Sequence, residues 1–240
     1  MKIIHWNCNG AFRTKSSQIL DHKPDILVIA ECENEHKLEF GKLIPKPKDY
    51  RWIGDSPNKG MGVFSYSDYE LEVFTEYDRN HRYILPLKVS NQKESFTFFA
   101  VWAMKNKVSS RTSYIGQVWF ALNKYANLLN EKTILIGDFN SNQIWDKLHA
   151  PGNHTALVNR LSENNIKSLY HTKYQENHGY ETIPTFFMQK NKEKGYHIDY
   201  CFASEEIIKK GFDIEIGNYD SWYTVSDHVP LIVSFGSQIF

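Results

Sequence analysis

The sequence predicts an α/β fold in which two packed, mixed β-sheets are flanked by helices, a four-layer α/β sandwich. Short apolar runs typical of buried strands are interleaved with stretches typical of helices. The strands are irregularly spaced, which favours sheets packed on each other with the helices outside. The 240 residues contain no tandem repeat or low-complexity tract, so we expect a single domain over residues 1–240.

The predicted strands are short apolar runs that end at polar residues. In chain order they are Lys2–Asn7, Ile26–Ala30, Gly62–Tyr66, Ser95–Ala103, Thr133–Ile136, His197–Ala203 and Leu231–Phe235. Helices are predicted between them, over Ser16–His22, Glu33–Leu43, Ser113–Leu129, Thr155–Asn164 and Glu205–Lys210. The last helix has Ser204 as its candidate cap and Gly211 as its stop.

Charge and composition narrow the function classes. The 28 basic and 28 acidic residues give a formal net charge of +0, which argues against binding nucleic acid by bulk electrostatics. A nuclease is not excluded, because carboxylates that hold a metal offset basic residues elsewhere. The three cysteines are far apart and odd in number, which fits a reducing compartment. No signal peptide and no apolar run of about 20 residues is visible, so we expect a soluble, cytoplasmic monomer that does not bind membranes.

Acidic and amide residues recur at the ends of the predicted strands. The sets are Asn7-Cys8-Asn9, Glu31, Asp138-Phe139-Asn140, Asp199 and Asp227-His228. A single carboxylate there is usually a cap or turn residue, but strand ends in a layered α/β fold gather at one rim. Carboxylates brought that close repel each other unless a cation lies among them, and oxygen ligands select Mg²⁺ or Mn²⁺ rather than zinc. The spacing alone leaves a shared metal site and separate turn roles equally open.

Six segments of the sequence form an ordered set of motifs. They are Trp6-Asn7-Cys8-Asn9-Gly10, Pro24–Glu31, Gly60-Met61-Gly62-Val63, Gly137-Asp138-Phe139-Asn140, Ile198-Asp199-Tyr200 and Ser226-Asp227-His228-Val229-Pro230. They resemble the motifs of the endonuclease/exonuclease/phosphatase superfamily, which includes exonuclease III and DNase I. Each motif is weak by itself, but the ordered set is specific and extends over residues 3 to 235. The resemblance implies a DNase I-like fold and metal-assisted, in-line attack of water on a phosphodiester.

The resemblance also implies a metal-binding set. Glu31 would be the principal ligand of Mg²⁺, with Mn²⁺ as the alternative ion, and Asn7 would support it and contact the phosphate. Asp227 would complete the metal shell. Asn9 stands where some members have an aspartate, which implies a weaker or water-mediated ligand. Ala30 replaces the usual glutamine before the metal glutamate, which removes one amide from the shell.

For catalysis, the same resemblance implies that Asp138 activates the water or protonates the leaving oxygen, while Asn140 holds a phosphate oxygen. His228 would pair with Asp199, which orients the imidazole and favours its charged form. A cationic imidazole beside the phosphate stabilises the charge that develops on the phosphate oxygens.

The candidate substrate-binding residues lie next to these motifs. Trp102 stands where many members have a Tyr or His that contacts the phosphate. Its ring either stacks on a base or sugar or packs in the core. The apolar run before it favours core packing. Lys105 and Arg111 are candidates for the missing phosphate contact. Trp222, in the polar segment before the Ser226 motif, is predicted to contact the substrate with an exposed ring.

Phe186 lies in the segment Pro184-Thr185-Phe186-Phe187, which matches the late T-F segment that lines the substrate pocket of the superfamily. The alternative is that at least one of the two phenylalanines is a core residue. The histidines outside the motifs are interpreted as structural. We expect His5 and His197 to be core or strand residues, and His149, His154, His171 and His178 to be surface loop residues.

The leading functional prediction is a Mg²⁺-dependent nuclease that hydrolyses DNA or RNA. The first alternative is a phosphatase or phosphodiesterase acting on a small or lipid phosphoester, although Gly195–Asp199 lacks the P-A-W-C-D-R segment of inositol-polyphosphate phosphatases. The segment Met104–Lys107 likewise lacks the N-x-G-[KR] segment of dedicated abasic-site enzymes. The second alternative is a catalytically inactive binding module. The sequence argues against it, because every central residue of the motifs is intact.

Overall fold

The computed structural model describes residues 1–105, 112–148 and 152–236. Within them the strands are β1 (Lys2–Asn7), β2 (Ile26–Cys32), β3 (Asp49–Ser56), β4 (Lys59–Ser65), β5 (Glu70–Val73), β6 (Ile84–Ser90), β7 (Ser95–Trp102), β8 (Thr133–Asp138), β9 (Ile166–Ser168), β10 (Phe186–Phe187), β11 (Gly195–Tyr196), β12 (Asp199–Ser204), β13 (Phe212–Ile216) and β14 (Leu231–Phe235). The α-helices are α1 (Ser16–Leu20), α2 (Glu35–Leu38), α3 (Ile115–Lys124), α4 (His154–Ser162), α5 (Leu169–Tyr174), α6 (Glu205–Ile208) and α7 (Tyr219–Trp222). Short 3₁₀ helices cover Phe12–Thr14, Arg79–His81, Ala126–Leu128, Gln143–Leu148 and Met188–Lys190.

Most strands belong to two six-stranded sheets. The first has the order β13-β14-β1-β2-β4-β3 and the second the order β5-β6-β7-β8-β12-β9. Each contains one parallel pair, β1 with β2 and β7 with β8, and its other neighbours are antiparallel. The predicted sandwich of two mixed sheets is therefore confirmed, and every strand predicted from the sequence is present.

Three layers of apolar side chains hold the sandwich together. The central layer joins the two sheets, for example through Val28 of the first sheet and Phe98 of the second. A second layer packs α1, α2 and α7 on the outer face of the first sheet. A third packs α3 and α4 on the outer face of the second sheet. These layers give the order helix, sheet, sheet, helix.

Alternation of side chains along the strands brings polar residues into the space between the sheets. In β8, Ile136 belongs to the central layer and Asp138 follows it two residues later. In β12, Cys201 belongs to the same layer and Asp199 precedes it by two residues. Asn7, at the end of β1, lies on the strand face that points between the sheets, and it is 3% exposed. The central layer is thus apolar over most of its extent and polar at one end.

The predicted helix over Glu33–Leu43 is the element that differs most from the structure. Only α2 is helical there, because Asn34 caps its start by accepting a hydrogen bond from the Lys37 amide at 3.3 Å. Glu39 then ends the helix in a left-handed conformation with φ of 44°. The carboxylate of Glu33 is used differently, as the acceptor of the Phe12 amide at 2.7 Å.

Several strands are not apparent in the sequence. Their residues are partly exposed, as in β3 and β5, or interrupted by a proline, as at Pro86 in β6. These strands lie toward one edge of each sheet, where partial exposure weakens the apolar signal. Among the described residues, no helix is long and apolar enough to cross a membrane.

Gly137 allows β7 and β8 to approach each other closely just before Asp138. A Cβ atom at this position would lie 1.9 Å from the carbonyl oxygen of Val101. The neighbouring atoms are backbone, which cannot move aside as a flexible side chain would. Glycine is therefore required here for the strand pairing that positions Asp138.

We expect Gly137→Ala to lower the free energy of unfolding by about 2–3 kcal/mol, because the added methyl group forces the two strands apart. The matched control is Gly211→Ala, where φ is 93° but no heavy atom lies within 4 Å of the added Cβ. Its expected cost is only about 1–2 kcal/mol of backbone strain. Urea unfolding of both variants measures the difference, and an equal or larger loss in Gly211→Ala would contradict this account.

Candidate active site

Two buried carboxylates lie side by side at the polar end of the central layer. The antiparallel pairing of β8 and β12 places Asp138 directly opposite Asp199, and both residues are 0% exposed. Ligand atoms of Asp138, Asp199 and His228 all lie within 4.8 Å of one another. The sequence motifs that supply these three residues are far apart in the chain, and the sheet register brings them into one site.

Asp138 is surrounded by hydrogen-bond donors from both sheets. Its Oδ2 accepts from Asn7 Nδ2 at 3.1 Å and from Asn140 Nδ2 at 3.2 Å. Its Oδ1 accepts from the Asn140 backbone amide at 2.8 Å. Asn140 has φ of 47°, and its side chain also donates to the carbonyl of Ala103 at 3.0 Å. The two amides therefore fix the orientation of the Asp138 carboxyl group.

Asp199 is held between two histidines. Its Oδ2 lies 2.9 Å from His228 Nδ1, and its Oδ1 lies 3.0 Å from His5 Nε2. The Asp199–His228 pair expected from the sequence is present, and it leaves Nε2 of His228 for other partners. The ring of Phe186 lies against the His228 imidazole, with 4.7 Å between centroids.

Burial and mutual charge set the protonation of this group. Burial and the negative charge of Asp199 raise the pKa of Asp138 to about 7, against the opposing influence of His228 and the amide donors. Burial also raises the pKa of Asp199, but the charge of His228 and the hydrogen bonds from His228 and His5 outweigh it and hold that pKa well below its usual range. Burial lowers the pKa of His228, but Asp199 more than offsets this and raises it to about 9. The site therefore contains an ion pair and a carboxyl group that titrates near neutral pH.

Two hydroxyl groups connect the loops around the site. Thr185 Oγ1 accepts the backbone amides of Ile198 and Asp199, each at 3.0 Å. Ser226 Oγ donates to the carbonyl of Asn7 at 2.8 Å and accepts the amide of His228 at 3.0 Å. Both residues are buried, so their hydroxyl groups tie the loops to the strand ends.

The predicted metal ligands lie near the ends of β1 and β2 and in the turn before β14. Glu31 is at a β-bulge near the end of β2 with φ of 61°, and its carboxylate lies 2.9 Å from Lys59 Nζ. Asn9 is exposed, and its amide donates to Asn7 Oδ1 at 3.1 Å. Asp227 is partly buried between Ser226 and His228. This donor set consists of oxygen atoms only, which fits a hard divalent ion such as Mg²⁺.

The predicted substrate-binding residues differ in their placement. Phe186 is partly exposed beside His228, whereas the neighbouring Phe187 is a core residue at 7% exposure. Trp102 is 2% exposed and packs on Tyr83, which agrees with the core-packing interpretation. Lys105 is exposed, and Arg111 lies outside the described residues.

The prediction that Trp222 presents an exposed ring is wrong. Helix α7 turns this side chain inward, where it is 4% exposed and packs edge-on against Trp6 with 5.1 Å between centroids. The polar residues around Trp222 in the sequence give no sign of its burial, because a single helical turn can bury one residue in four. Tyr223, the next residue, is 42% exposed.

Some residues of the site were not identified from the sequence. His5 was expected to be a core or strand residue and is indeed buried in β1, but it also holds Asp199. Its position two residues before Asn7 is the signal that could have identified it, since the two share one face of the strand. Lys59 is a second case. The motif that begins at Gly60 is defined by its glycines, and the lysine before them carries no signal of its own.

The prediction that His154 and His171 are surface loop residues is also wrong, because they lie in α4 and α5. His178 does lie in a loop, but most of its side chain is buried. His154 is 1% exposed, and the other two side chains are 10% and 18% exposed. They gather around Glu181, outside the Asp138 site. His149 lies outside the described residues. The loop sequences around these histidines gave no periodic pattern from which burial could be inferred.

We expect Trp222→Ala to destabilise the protein by about 3–5 kcal/mol, because it empties a packed position beneath the first sheet. The matched control is Tyr223→Ala, whose exposed ring should contribute no more than about 0.5 kcal/mol. Chemical unfolding of both variants provides the comparison. A stable Trp222→Ala protein with the unfolding midpoint of the parent would contradict the buried placement.

The raised pKa of His228 makes stability depend on pH. Because folding raises this pKa from 6.5 to about 9, the Asp199–His228 pair stabilises the fold fully below pH 6.5 and loses that contribution as the pH rises through 9. In chelator, the difference in free energy of unfolding between the parent and His228→Gln should therefore shrink by on the order of 2 kcal/mol across this range. A difference that stays constant from neutral to alkaline pH would contradict the ion pair.

Comparison with known proteins agrees with this architecture. The 3' phosphatase NExo from Neisseria, solved with a product DNA hairpin, shares 19% sequence identity at a TM-score of 0.68, over 98% of this chain and 99% of that chain. An AP endonuclease from Archaeoglobus fulgidus shares 17% identity at a TM-score of 0.66, over 98% of this chain and 99% of that one. The endonuclease domain of TRAS1, a telomere-specific non-LTR retrotransposon, shares 15% identity at a TM-score of 0.64, over 98% and 97% of the two chains. At these identities the likeness shows the fold.

None of the curated proteins matches the sequence. The model of the Endonuclease/Exonuclease/phosphatase family, in contrast, matches residues 4–228. This range begins within β1, ends before β14 and contains every residue of the Asp138 site. The chain therefore belongs to the Endonuclease/Exonuclease/phosphatase family.

Proposed function

We propose that this protein is a Mg²⁺-dependent nuclease that hydrolyses phosphodiester bonds of DNA or RNA. The observation that carries the proposal is the arrangement of Asp138 beside the Asp199–His228 ion pair. It combines a carboxyl group that exchanges a proton near neutral pH with a cation that can face a phosphate. Family membership supports hydrolysis of a phosphoester as the reaction class.

In this proposal, Asp138 handles the proton of the reaction. General acid–base catalysis is most effective when the pKa of the group is near the working pH, and the pKa of Asp138 is raised to about 7. It either accepts a proton from the attacking water or donates one to the leaving oxygen, because in an in-line reaction these two oxygens lie on opposite sides of the phosphorus. Asn7 and Asn140 hold the carboxyl group in one orientation through the hydrogen bonds already described.

His228 stabilises the phosphate in the transition state. Its Nδ1 is bound to Asp199, so a protonated ring directs Nε2–H away from the pair toward a ligand. A fixed cationic donor stabilises negative charge that grows on the phosphate oxygens. His5 acts as a positioning residue, because it holds the second oxygen of Asp199 and so prevents that carboxylate from rotating.

The ion would be held by Glu31, Asp227 and Asn9, with Asn7 in support. When bound, Mg²⁺ supplies Lewis-acid stabilisation of the charge on a phosphate oxygen. Lys59 neutralises Glu31 in the structure described here, and the same lysine lies 5.7 Å from the ring centroid of Trp102. Lys59 would have to leave Glu31 for the ion to bind, and it would then be free to pair with a phosphate of the substrate.

A nucleic acid is favoured over a small phosphoester by the surroundings of the site. Phe186 offers a partly exposed ring next to the reacting centre, and base stacking needs only such a ring. Lys59 and Lys105 offer exposed cations for the phosphates that flank the cleaved bond. The DNA hairpin bound by the structurally similar NExo supports the same substrate class.

The test compares the parent protein with Asp138→Asn on 5′-labelled DNA and RNA oligonucleotides, single- and double-stranded, with Mg²⁺, with Mn²⁺ and with chelator. We expect cleavage that needs the metal and falls by about 10²–10⁴-fold in Asp138→Asn, because the amide cannot exchange the proton. The matched control is Asp21→Asn, at an exposed position at the end of α1, which should cleave like the parent.

The pattern of products then distinguishes internal from terminal cleavage. Failure to cleave any oligonucleotide in either metal would contradict the nuclease. Release of inorganic phosphate from a small phosphoester would in that case assign the Asp138 site to a phosphatase.

A further inference from the structure

A second cluster of ligand-type side chains lies outside the proposed catalytic residues. It consists of His154 from α4, His171 from α5, and His178 and Glu181 from the loop that follows α5, and we call it the histidine cluster. None of these residues belongs to the motifs of the Asp138 site. Three of its members come from one short stretch of chain, and His154 approaches them from the neighbouring helix.

The ligand atoms of the histidine cluster face one another at short distances. His171 Nε2 lies 3.1 Å and His178 Nδ1 lies 3.9 Å from the same oxygen, Glu181 Oε1. His154 Nε2 lies 2.9 Å from His178 Nδ1. A tetrahedral zinc ion with ligands at about 2.0–2.1 Å separates neighbouring ligand atoms by about 3.3 Å. The observed spacings bracket this value.

The remaining atoms of these side chains are tied down by their neighbours. His171 Nδ1 bonds Ser168 Oγ at 2.7 Å, and His154 Nδ1 bonds Ser141 Oγ at 3.2 Å. The second oxygen of Glu181 accepts from Asn142 Nδ2 and from the Gly179 amide, each at 3.0 Å. Such outer hydrogen bonds orient metal ligands and select the nitrogen that faces the ion.

The cluster is enclosed but can be reached from solvent. The side chain of Glu181 is 2% exposed, and those of His171 and His178 are 10% and 18% exposed. Both histidines also line a surface cavity of about 270 Å³. A hydrated ion could approach through this cavity and lose its water on reaching the buried carboxylate.

The protonation of the cluster suits a metal. Burial, together with the other histidines, lowers the pKa of His178 to about 3, and burial lowers that of His154 to about 4. Burial raises the pKa of Glu181, but hydrogen bonds from His171 and Asn142 lower it to about 2. The imidazole rings of His171 and His178 stack with only 3.5 Å between centroids, which two cationic rings would oppose. Neutral imidazole and ionised carboxylate are the forms that bind a metal.

We infer that the histidine cluster is a second metal site, which binds Zn²⁺ through His171, His178 and Glu181, whose ligand atoms all lie within 4.8 Å of one another. Imidazole nitrogens favour zinc over the hard ions preferred by oxygen ligands, so the two sites of the protein would hold different metals. The inference does not depend on the nuclease function, because it concerns residues that take no part in the proposed reaction.

A zinc ion here would have a structural role. It would fasten the loop carrying His178 and Glu181 to α5, while His154 of α4 contacts His178. That loop continues to Thr185, which holds the amide of Asp199. Asn142 adds a second connection, since its Nδ2 donates to Glu181 Oε2 and to the carbonyl of His197, each at 3.0 Å. Loss of the ion should therefore loosen the segment behind the Asp138 site.

The test uses the full-length, tag-free protein, stripped with chelator and then returned to saturating Mg²⁺ so that the oxygen-ligand site is filled. Zn²⁺ is titrated by calorimetry, and bound zinc is counted by mass spectrometry after desalting. The variants are His178→Asn, whose amide retains a polar group near the Nδ1 position, and Glu31→Gln, which alters the other site. His36→Ala, with a side chain that is 83% exposed, is the matched histidine control.

We expect one zinc ion per chain in the parent, in Glu31→Gln and in His36→Ala. In His178→Asn we expect the zinc affinity to be at least about 100-fold lower, which is more than the loss typical of changing a residue that only hydrogen-bonds a ligand. Zinc at about 100 times its Kd should also raise the Tm of the parent by roughly 5 °C. No stoichiometric zinc in the parent would overturn the inference and leave the cluster as a hydrogen-bonded network. Zinc lost in Glu31→Gln but retained in His178→Asn would also overturn it.

Circular dichroism establishes that His178→Asn is folded. If it is not, the parent protein decides the question by itself through the visible spectrum of bound Co²⁺. A tetrahedral Co²⁺ spectrum that disappears when zinc is added supports the site. A Co²⁺ spectrum with no tetrahedral bands overturns it.

Discussion

The structure depends on the pairing of two buried carboxylates, Asp138 and Asp199, at one end of the space between the sheets. Burying one ionised carboxylate is costly, and placing a second one beside it raises the cost further. The fold compensates with one cation and several donors, which come from both sheets and from the C-terminal loop. Because β1 supplies His5 and Asn7 while β8 and β12 supply the carboxylates, compensation is possible only when the two sheets are packed in one relative position.

This requirement explains why the elements around the site are tightly specified. Gly137 allows β8 to approach β7, so that Asp138 reaches the register opposite Asp199. Thr185 and Ser226 use single hydroxyl groups to fasten the loops that carry Phe186 and His228. The backbone conformations of Glu31 and Asn140 are left-handed, with φ of 61° and 47°. Asparagine tolerates this conformation, whereas it is uncommon for glutamate.

The Asp138 site and the histidine cluster offset the cost of burying polar side chains in different ways. In the Asp138 site the charges are unequal, and the pKa values of the three groups are driven apart, which suits proton transfer. In the histidine cluster burial lowers the pKa values of His154 and His178 beside one carboxylate, which suits ligand binding. The difference follows from composition, since one group has two carboxylates and the other has one carboxylate among several histidines.

The sequence by itself determined the class of fold, the strands that carry the site and the identity of its central residues. Buried strands such as β1, β8 and β14 are read easily because apolar runs have few other uses, and the ordered motifs place Asp138, Asp199 and His228 at strand ends or in the turn before the last strand. The edge strands β3 and β5 could not be predicted, because partial exposure removes the apolar pattern.

Only the tertiary structure decided which side chains meet. The role of His5 depends on Asp199, which is 194 positions away in the chain, and no local pattern carries that information. Trp222 is buried by one turn of helix against Trp6, although its neighbours in the sequence are polar. No pattern in the sequence relates His154, His171 and His178, and only the packing of α4 and α5 brings them together beside Glu181. Local sequence patterns report the burial and conformation of a segment, whereas contacts between segments arise from sheet register and helix packing, which depend on the whole chain.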